Sequence, residues 1–433
     1  MTESHTSSAP IQKRPLSAWS NPAFRLFTLS GLILSFVTQT QSLMIGWQVY
    51  EIKKDPLYLG FIGLTEALPA LSLALLAGYI VDLKGSERIN RMIFWLALLV
   101  SATLTLVMST RFLPGHEKIL SDDALVATLY AVAFLGGIAR GFRGPTRTAM
   151  IPRLVSRDAL AQSSAWNTTM FSLSSASGPA LGGLLYAATG NAFWGYLIGT
   201  LLCVVALVMT YRIEVDQASE KLIAAAESVG DVLNELTLGL KFVFTHPLLL
   251  PALALDMFGV LFGGAVALLP VFSAEILHTG AWGVGILRGG SWLGSLAGSL
   301  WLIRFPLQKK SGTLLLVAVF GFGFCMIGFG LSTQFWLSLT LLALSGVFDS
   351  VSMVIRGTIV QMSAPENMRG RVGAVNSLFI NISNQLGEFE SGVAAKLMGT
   401  ARSVVFGGVV TLIVVLVTGF KAKTLRKMEI EKL

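Results

Sequence analysis

Charge is scarce in this chain. Only 13% of its 433 residues are Asp, Glu, Lys or Arg, against 53% that are hydrophobic. The only two cysteines, Cys203 and Cys325, sit inside apolar runs, which excludes a disulfide-stapled extracellular module. The four histidines (His5, His116, His246 and His278) show no metal-ligand spacing. There is no GxxxxGK[ST] phosphate loop, no H-E-x-x-H and no G-x-S-x-G. ATP-driven pumping by this chain alone therefore has no site, membrane catalysis has no nucleophile–base pair to start from, and no cofactor or metal is expected. The apolar core of a signal peptide is missing too: residues 1–20 are polar, with Lys13, Arg14 and Pro15 where it would stand.

Long apolar runs are what the chain has in excess. A hydrocarbon core about 30 Å thick takes about 20 apolar residues per helix. Twelve runs answer to that length, at about 23–46, 59–81, 89–110, 124–143, 160–187, 191–211, 248–272, 282–304, 312–331, 335–356, 372–396 and 403–420. A soluble domain made of so many all-round apolar helices would have no polar face to show water. The expected fold is an all-α membrane protein of twelve transmembrane helices, its first span retained.

The net charge of +8 would suit nucleic acid, but its placement points elsewhere. With the N-terminus inside, 25 of the 32 lysines and arginines fall on cytoplasmic segments. Arg143, Arg147, Arg153 and Arg157 crowd one inner loop, and Lys421, Lys423, Arg426 and Lys427 follow the last span. The positive-inside rule accounts for that bias and puts both termini in the cytoplasm. A basic patch for acidic lipid or a protein partner is the alternative use of the same charge. Trp47, Tyr50, Trp194, Tyr196 and Trp282 are expected in the interfacial aromatic belts.

The chain divides into two halves. A tail (1–22) precedes six spans (23–211). A cytoplasmic linker (212–247) with an amphipathic helix follows, Val232, Leu233, Leu236, Leu240 and Val243 sharing one side. Six more spans (248–420) and a basic tail (421–433) complete it. The halves echo each other. Arg143-Gly144 precedes Pro152 and Arg356-Gly357 precedes Pro365, each proline nine residues after its arginine. Asn167 and Asn376 then enter corresponding spans. Gly178-Pro179-Ala180-Leu181-Gly182-Gly183 matches Gly387-Glu388-Phe389-Glu390-Ser391-Gly392, with small residues at the same three offsets. Six plus six spans make the repeats parallel, as in a transporter that rocks its halves about a central site.

The second span ends Gly78-Tyr79-Ile80-Val81-Asp82-Leu83-Lys84-Gly85-Ser86-Glu87-Arg88. This resembles, with some basic positions replaced, the loop signature of the major facilitator superfamily between its second and third helices. Gly-Pro-x-x-Gly-Gly in the fifth span resembles that superfamily's fifth-helix motif, often seen in exporters. Asn21-Pro22-Ala23-Phe24-Arg25, Arg369-Gly370-Arg371 with Asn376, and Gly387 to Gly392 look like the branch of transmembrane secretion effectors that includes enterobactin exporters. The resemblance implies a monomeric secondary transporter in a bacterial inner membrane that exports a siderophore or drug-like small molecule. A lipid or lysolipid flippase of the same fold is the alternative, and a non-transporting sensor or scaffold is the alternative of another class.

Two sets of residues carry the mechanism expected from the residues themselves. At the inner interface, Gly78, Asp82, Gly85 and Arg88, with Arg140 and Arg143 of the fourth span, form a candidate latch in which Asp82 pairs with an arginine when the inside is closed. Gly178, Pro179, Gly182 and Gly183 serve close helix packing. Within the spans a charge costs at least about 2.5–3.5 kcal/mol, so it is expected to face a cavity or a partner. Glu66, Asp256, Arg288, Asp349, Glu388 and Glu390 are such charges, with Gln39 and Asn384 among the polar cavity candidates. Arg288 can pair with Glu388 or Glu390, which lie about 200° apart round their helix. A buried carboxylate suits proton loading, so protons are the expected coupling ion.

Overall fold

The computed structural model describes residues 18–74, 76–112, 120–156, 159–213, 229–304, 310–365 and 368–429. The expected His5, His116, Lys13, Arg14, Pro15 and Arg157 lie outside these residues. In chain order the helices are α1 (Pro22–Lys53), α2 (Pro56–Ala74), α3 (Ala77–Lys84), α4 (Ser86–Phe112), α5 (Asp122–Leu154), α6 (Leu160–Thr189) and α7 (Phe193–Tyr211). The linker helix α8 (Val229–Thr245) follows, then α9 (Leu249–Gly263), the single turn α10 (Leu269–Val271), α11 (Gly280–Arg304), α12 (Ser311–Leu331), α13 (Phe335–Ser363), α14 (Arg369–Met398), α15 (Thr400–Lys421) and the short α16 (Lys423–Arg426). Nine spans among the described residues are long and apolar enough to cross a membrane. The remaining long helices, α6, α11 and α14, fall short on composition, with serine, threonine, glycine and charge where the other spans have aliphatics.

The two halves start alike. Asn21 caps α1, its side chain accepting from the Ala23 N–H at 2.8 Å, with Pro22 at the first helical position. His246 does the same for α9, its Nδ1 accepting from the N–H groups of Leu248 and Leu249. The seventh span runs beyond its expected end at about 272. It breaks at Gly264 and continues through α10 and one π-turn to Ile276, where Ser391 of α14 donates to the freed Gly264 carbonyl at 2.8 Å. On α8, Val243 is fully buried and Leu240 packs with the second half's core, while Gly239 lies against the backbone of Arg371.

Small residues set how the helices meet. Gly178 and Gly182 face α1, where an added Cβ would fall about 3 Å from the Phe36 carbonyl and the Thr40 methyl. Gly183 instead faces the other half, against Ala281 and Gly285 of α11. The repeat holds: Gly387 faces Leu261 of α9, and Gly392 faces Gly60 of α2 in the other half. With no side chains between them, α6 meets α11 and α2 meets α14 backbone to backbone.

These approaches lie at the end of the bundle opposite the chain termini. There a single buried cluster joins both halves, running from Leu43, Met44 and Tyr50 to Phe272, Leu287, Phe329 and Val404. At the termini-bearing end the cores are separate, one around Leu34, Phe94 and Cys203 in the first half, another around Leu253, Ile355 and Val372 in the second. The molecule is closed at the far end and parted at the other. Asp55 pairs with Lys396, and the Tyr50 hydroxyl donates to Glu275, across the closed end. Burial raises the Asp55 carboxyl, but the Lys396 ammonium and the Leu57 N–H outweigh it and hold it below the usual aspartate value. A carboxyl so depressed keeps its pair above about pH 3.9 and loses it only in stronger acid. With Lys396 half exposed, the pair is worth about 0–1 kcal/mol. It sets register, and the apolar cluster supplies the closure. Gly183→Val should therefore hold the far end apart: cysteines placed at Asp55 and Lys396 should be bridged by a short bis-maleimide in the parent background and lose most of that bridging in the valine variant.

Three of the aromatics expected at the membrane interface are core residues instead. Trp47, Tyr50 and Tyr196 are buried, and Tyr196 donates to Gln48 Oε1 at 2.6 Å. Both tyrosine hydroxyls find a partner in the core, which lets an aromatic be buried as readily as placed in a belt. Trp194 and Trp282 are exposed.

Candidate transport site between the halves

Four spans place a set of opposite charges where the halves meet. Gly137 lets α5 approach α2, since a Cβ there would fall 2.5 Å from the Glu66 carbonyl. One turn further, Arg140 reaches the Glu66 carboxylate at 2.7 Å. From the second half, Glu388 of α14 lies against Gly63, one turn before Glu66 on the same face of α2, where an added Cβ would fall 2.7 Å from the Glu388 carboxylate. Arg288 of α11 is attracted by both Glu388 and Glu66 and repelled by Arg140. Two acids and two guanidinium groups thus balance one another, one pair from each half. The Arg288 Nε still lacks a hydrogen-bond partner, and Arg140 is half exposed.

The other candidates are placed separately. Glu66, Arg288 and Arg140 are the charges within electrostatic reach of Glu388, whereas Glu390 lies about 200° away round α14. Asp256 pairs with Arg356 of α13, both nearly buried, at 10% and 4% exposure. Gln39 donates to Ser175 at 2.9 Å, holding α1 to α6. Asn384 is exposed and donates to its own helix at Ile380.

The latch residues are not joined as expected. Arg140 is committed to Glu66, and Arg143 donates to the Gly31 carbonyl at 3.1 Å and to Ser35 on α1. Asp82 and Arg88 are exposed and form no ion pair among the described residues. The carboxylate that ties this loop to α5 is Glu87, 3.9 Å from Arg153, which also donates to Ser86. The physical reason is the state of the molecule: with the termini-bearing end parted, Asp82 is left exposed while Arg140 is taken by Glu66 and Arg143 by groups of α1. Gly85 holds a positive φ of 84° that closes α3, and Gly78 meets nothing within 4 Å. The Asp256–Arg356, Asp55–Lys396 and Glu87–Arg153 pairs carried no signal of partner in the sequence, because each joins residues on different helices.

Two six-helix halves, packed through glycines at one end and parted at the other, with a charge set where they meet, define a membrane transporter of the major facilitator fold. The family model described as transmembrane secretion effector matches residues 13–433, and the chain belongs to that family. It is 25% identical to the multidrug efflux pump Tap of Mycolicibacterium fortuitum over 363 residues, 82% of this chain and 84% of that one. It is 27% identical to the enterobactin exporter EntS of Shigella flexneri over 263 residues, 60% of each chain. The D-xylose–proton symporter superimposes with a TM-score of 0.70 at 14% identity, covering 91% of this chain and 97% of that one, which speaks for the fold alone. These relatives are transporters, not enzymes.

Proposed function

We propose that this transporter exports a small organic molecule, siderophore-like or drug-like, from the cytoplasm of a bacterium by alternating access coupled to proton antiport. The observation that carries it is the charge set shared by the halves, Glu66 with Arg140 and Arg288 with Glu388. A proton on Glu388 would cancel the acid that attracts Arg288 and leave the set one charge positive. The balance that draws α14 to α2 and α11 would then be lost, freeing the far end to open. Export is supported by the likeness to the efflux pump Tap and the enterobactin exporter EntS. The positive bias of the loops supports a cytoplasmic position for the parted, termini-bearing end, where a substrate to be exported would enter. Asp82 and Arg88 serve the opposite state, in which the termini-bearing end closes and Asp82 can meet a basic partner.

Everted inner-membrane vesicles test this. With the interior acidified, vesicles holding the chain should accumulate an efflux dye such as ethidium, and collapse of the pH gradient should release it. A single cysteine at Ser121 should react with an impermeant maleimide from outside intact cells, and one at Thr245 should not. Accumulation independent of the gradient would remove proton coupling, and the reverse labelling would remove the orientation.

A further inference from the structure

The two halves repeat the same motifs and differ in charge at several equivalent places, one of which faces the inner arginine of each half. Asn21-Pro22 and His246-Pro247 begin the first helix of each half, 225 residues apart. The same separation carries Gly31 of α1 onto Asp256 of α9. Arg143 and Arg356 are the corresponding arginines of α5 and α13. In the second half the guanidinium of Arg356 meets the Asp256 carboxylate. In the first half the hydrogen-bond partners of the Arg143 guanidinium among the described residues are the Gly31 carbonyl and the Ser35 hydroxyl. Where the second half has a carboxylate, the first has none.

Space is present where that carboxylate is missing. A Cβ added to Gly31 would meet nothing within 4 Å. Arg143 and Gly31 line an open pocket in the first half, and Arg147, one turn along α5, brings a second guanidinium to it. Among the described residues no Asp or Glu lines this pocket. Thr28 also lines it, and its buried hydroxyl has no hydrogen-bond partner. Phe27, Phe94 and Phe171 form apolar walls, and Phe171 stands edge-on to Trp292 of the second half, so the pocket borders the seam between the halves. Two like charges held close together and half-buried, with a free hydroxyl and aromatic faces beside them, match an aromatic molecule bearing an anionic group.

We propose that this pocket is an anion subsite, where the carboxylate or similar acidic group of an aromatic substrate supplies to Arg143 and Arg147 the charge that Asp256 supplies to Arg356. The proposal deepens the export reading and rests on it for the word substrate. It assigns acidic aromatic compounds as a class of cargo, entering from the termini-bearing end.

The test is equilibrium binding to the full chain in nanodiscs of zwitterionic phosphatidylcholine, with 2-naphthoate and its uncharged amide as probes. Naphthoate should bind at least tenfold more tightly than the amide. Gly31→Asp, which restores the carboxylate of the second half, should weaken naphthoate binding at least tenfold, whereas Gly31→Ala should stay within twofold. Arg143→Gln should weaken it as Gly31→Asp does, so a folding failure in one variant leaves the other to decide. Equal binding of acid and amide, or unchanged binding in both charge variants, would overturn the proposal. So would displacement of naphthoate when phosphatidylglycerol is added to the discs, which would assign the pocket to a lipid headgroup. Because binding is read without transport, a chain that binds naphthoate but moves nothing in vesicles counts against export alone. A chain that pumps dye yet ignores the probe's charge counts against the subsite alone.

Discussion

Glu388→Gln should abolish pH-driven transport in a protein that inserts and folds normally, and Glu390→Gln should leave transport within about twofold of the parent. The two residues are neighbours in sequence and opposite in circumstance. Glu388 reaches across the seam to Gly63 and lies within electrostatic reach of Glu66, Arg288 and Arg140, while Glu390 projects about 200° away round α14. Glutamine keeps the shape and the hydrogen-bonding reach of Glu388 and removes only its proton exchange, so substrate binding should persist as turnover loses its pH dependence. A purely structural role gives a different result. Stranding Arg288 would then lower stability by about 3–5 kcal/mol, and Arg288→Gln added to Glu388→Gln would recover much of it. Transport at the parental rate and pH dependence in Glu388→Gln would remove the residue from coupling and leave Glu66 as the remaining acid of the set.

The largest stability effect is expected in the second half. Asp256→Asn leaves the Arg356 guanidinium at 4% exposure without its counter-charge, and a buried charge stranded in this way costs about 3–5 kcal/mol. Asp256→Leu combined with Arg356→Met should recover most of the loss, since apolar side chains of similar volume replace a buried pair at little net cost. Thermal unfolding in detergent, read side by side for single and double variants, checks both statements. Asp55→Asn at the closed end offers the contrast: it breaks a pair whose lysine is half exposed and should change stability by no more than about 1 kcal/mol. A double variant no more stable than Asp256→Asn alone would show that the site needs the ions themselves.

Some of this was written into the chain one residue at a time. The count of apolar runs follows from the length of a bilayer-spanning helix, and the charge bias of the loops follows from insertion, so both are local quantities that a sequence displays directly. The Gly178–Gly183 and Gly387–Gly392 segments were visible as a repeat, because a helix that must approach another backbone has to be small at fixed spacings whatever its neighbours are. Glu66, Arg288 and Glu388 stood out for the same local reason, the cost of charge in an apolar run.

Partnership was another matter. Arg140 looked like a member of the Asp82 latch because both fall near the inner interface, yet Gly137 tilts the balance by admitting α2 within reach and giving Arg140 to Glu66. Trp47, Tyr50 and Tyr196 had the composition of an interfacial belt and were drawn into the shared core, where Gln48 and Glu275 receive two of their hydroxyls. Glu388 and Glu390 could be separated only once α14 was set against α2, since a helix turned by half a revolution exchanges them. The sequence by itself determined how many helices cross, where the halves divide and which residues are costly to bury. The tertiary structure alone decided which charges meet, which end of the bundle is closed and which arginine is left without an acid, because those depend on the rotation and approach of helices that can lie more than three hundred residues apart.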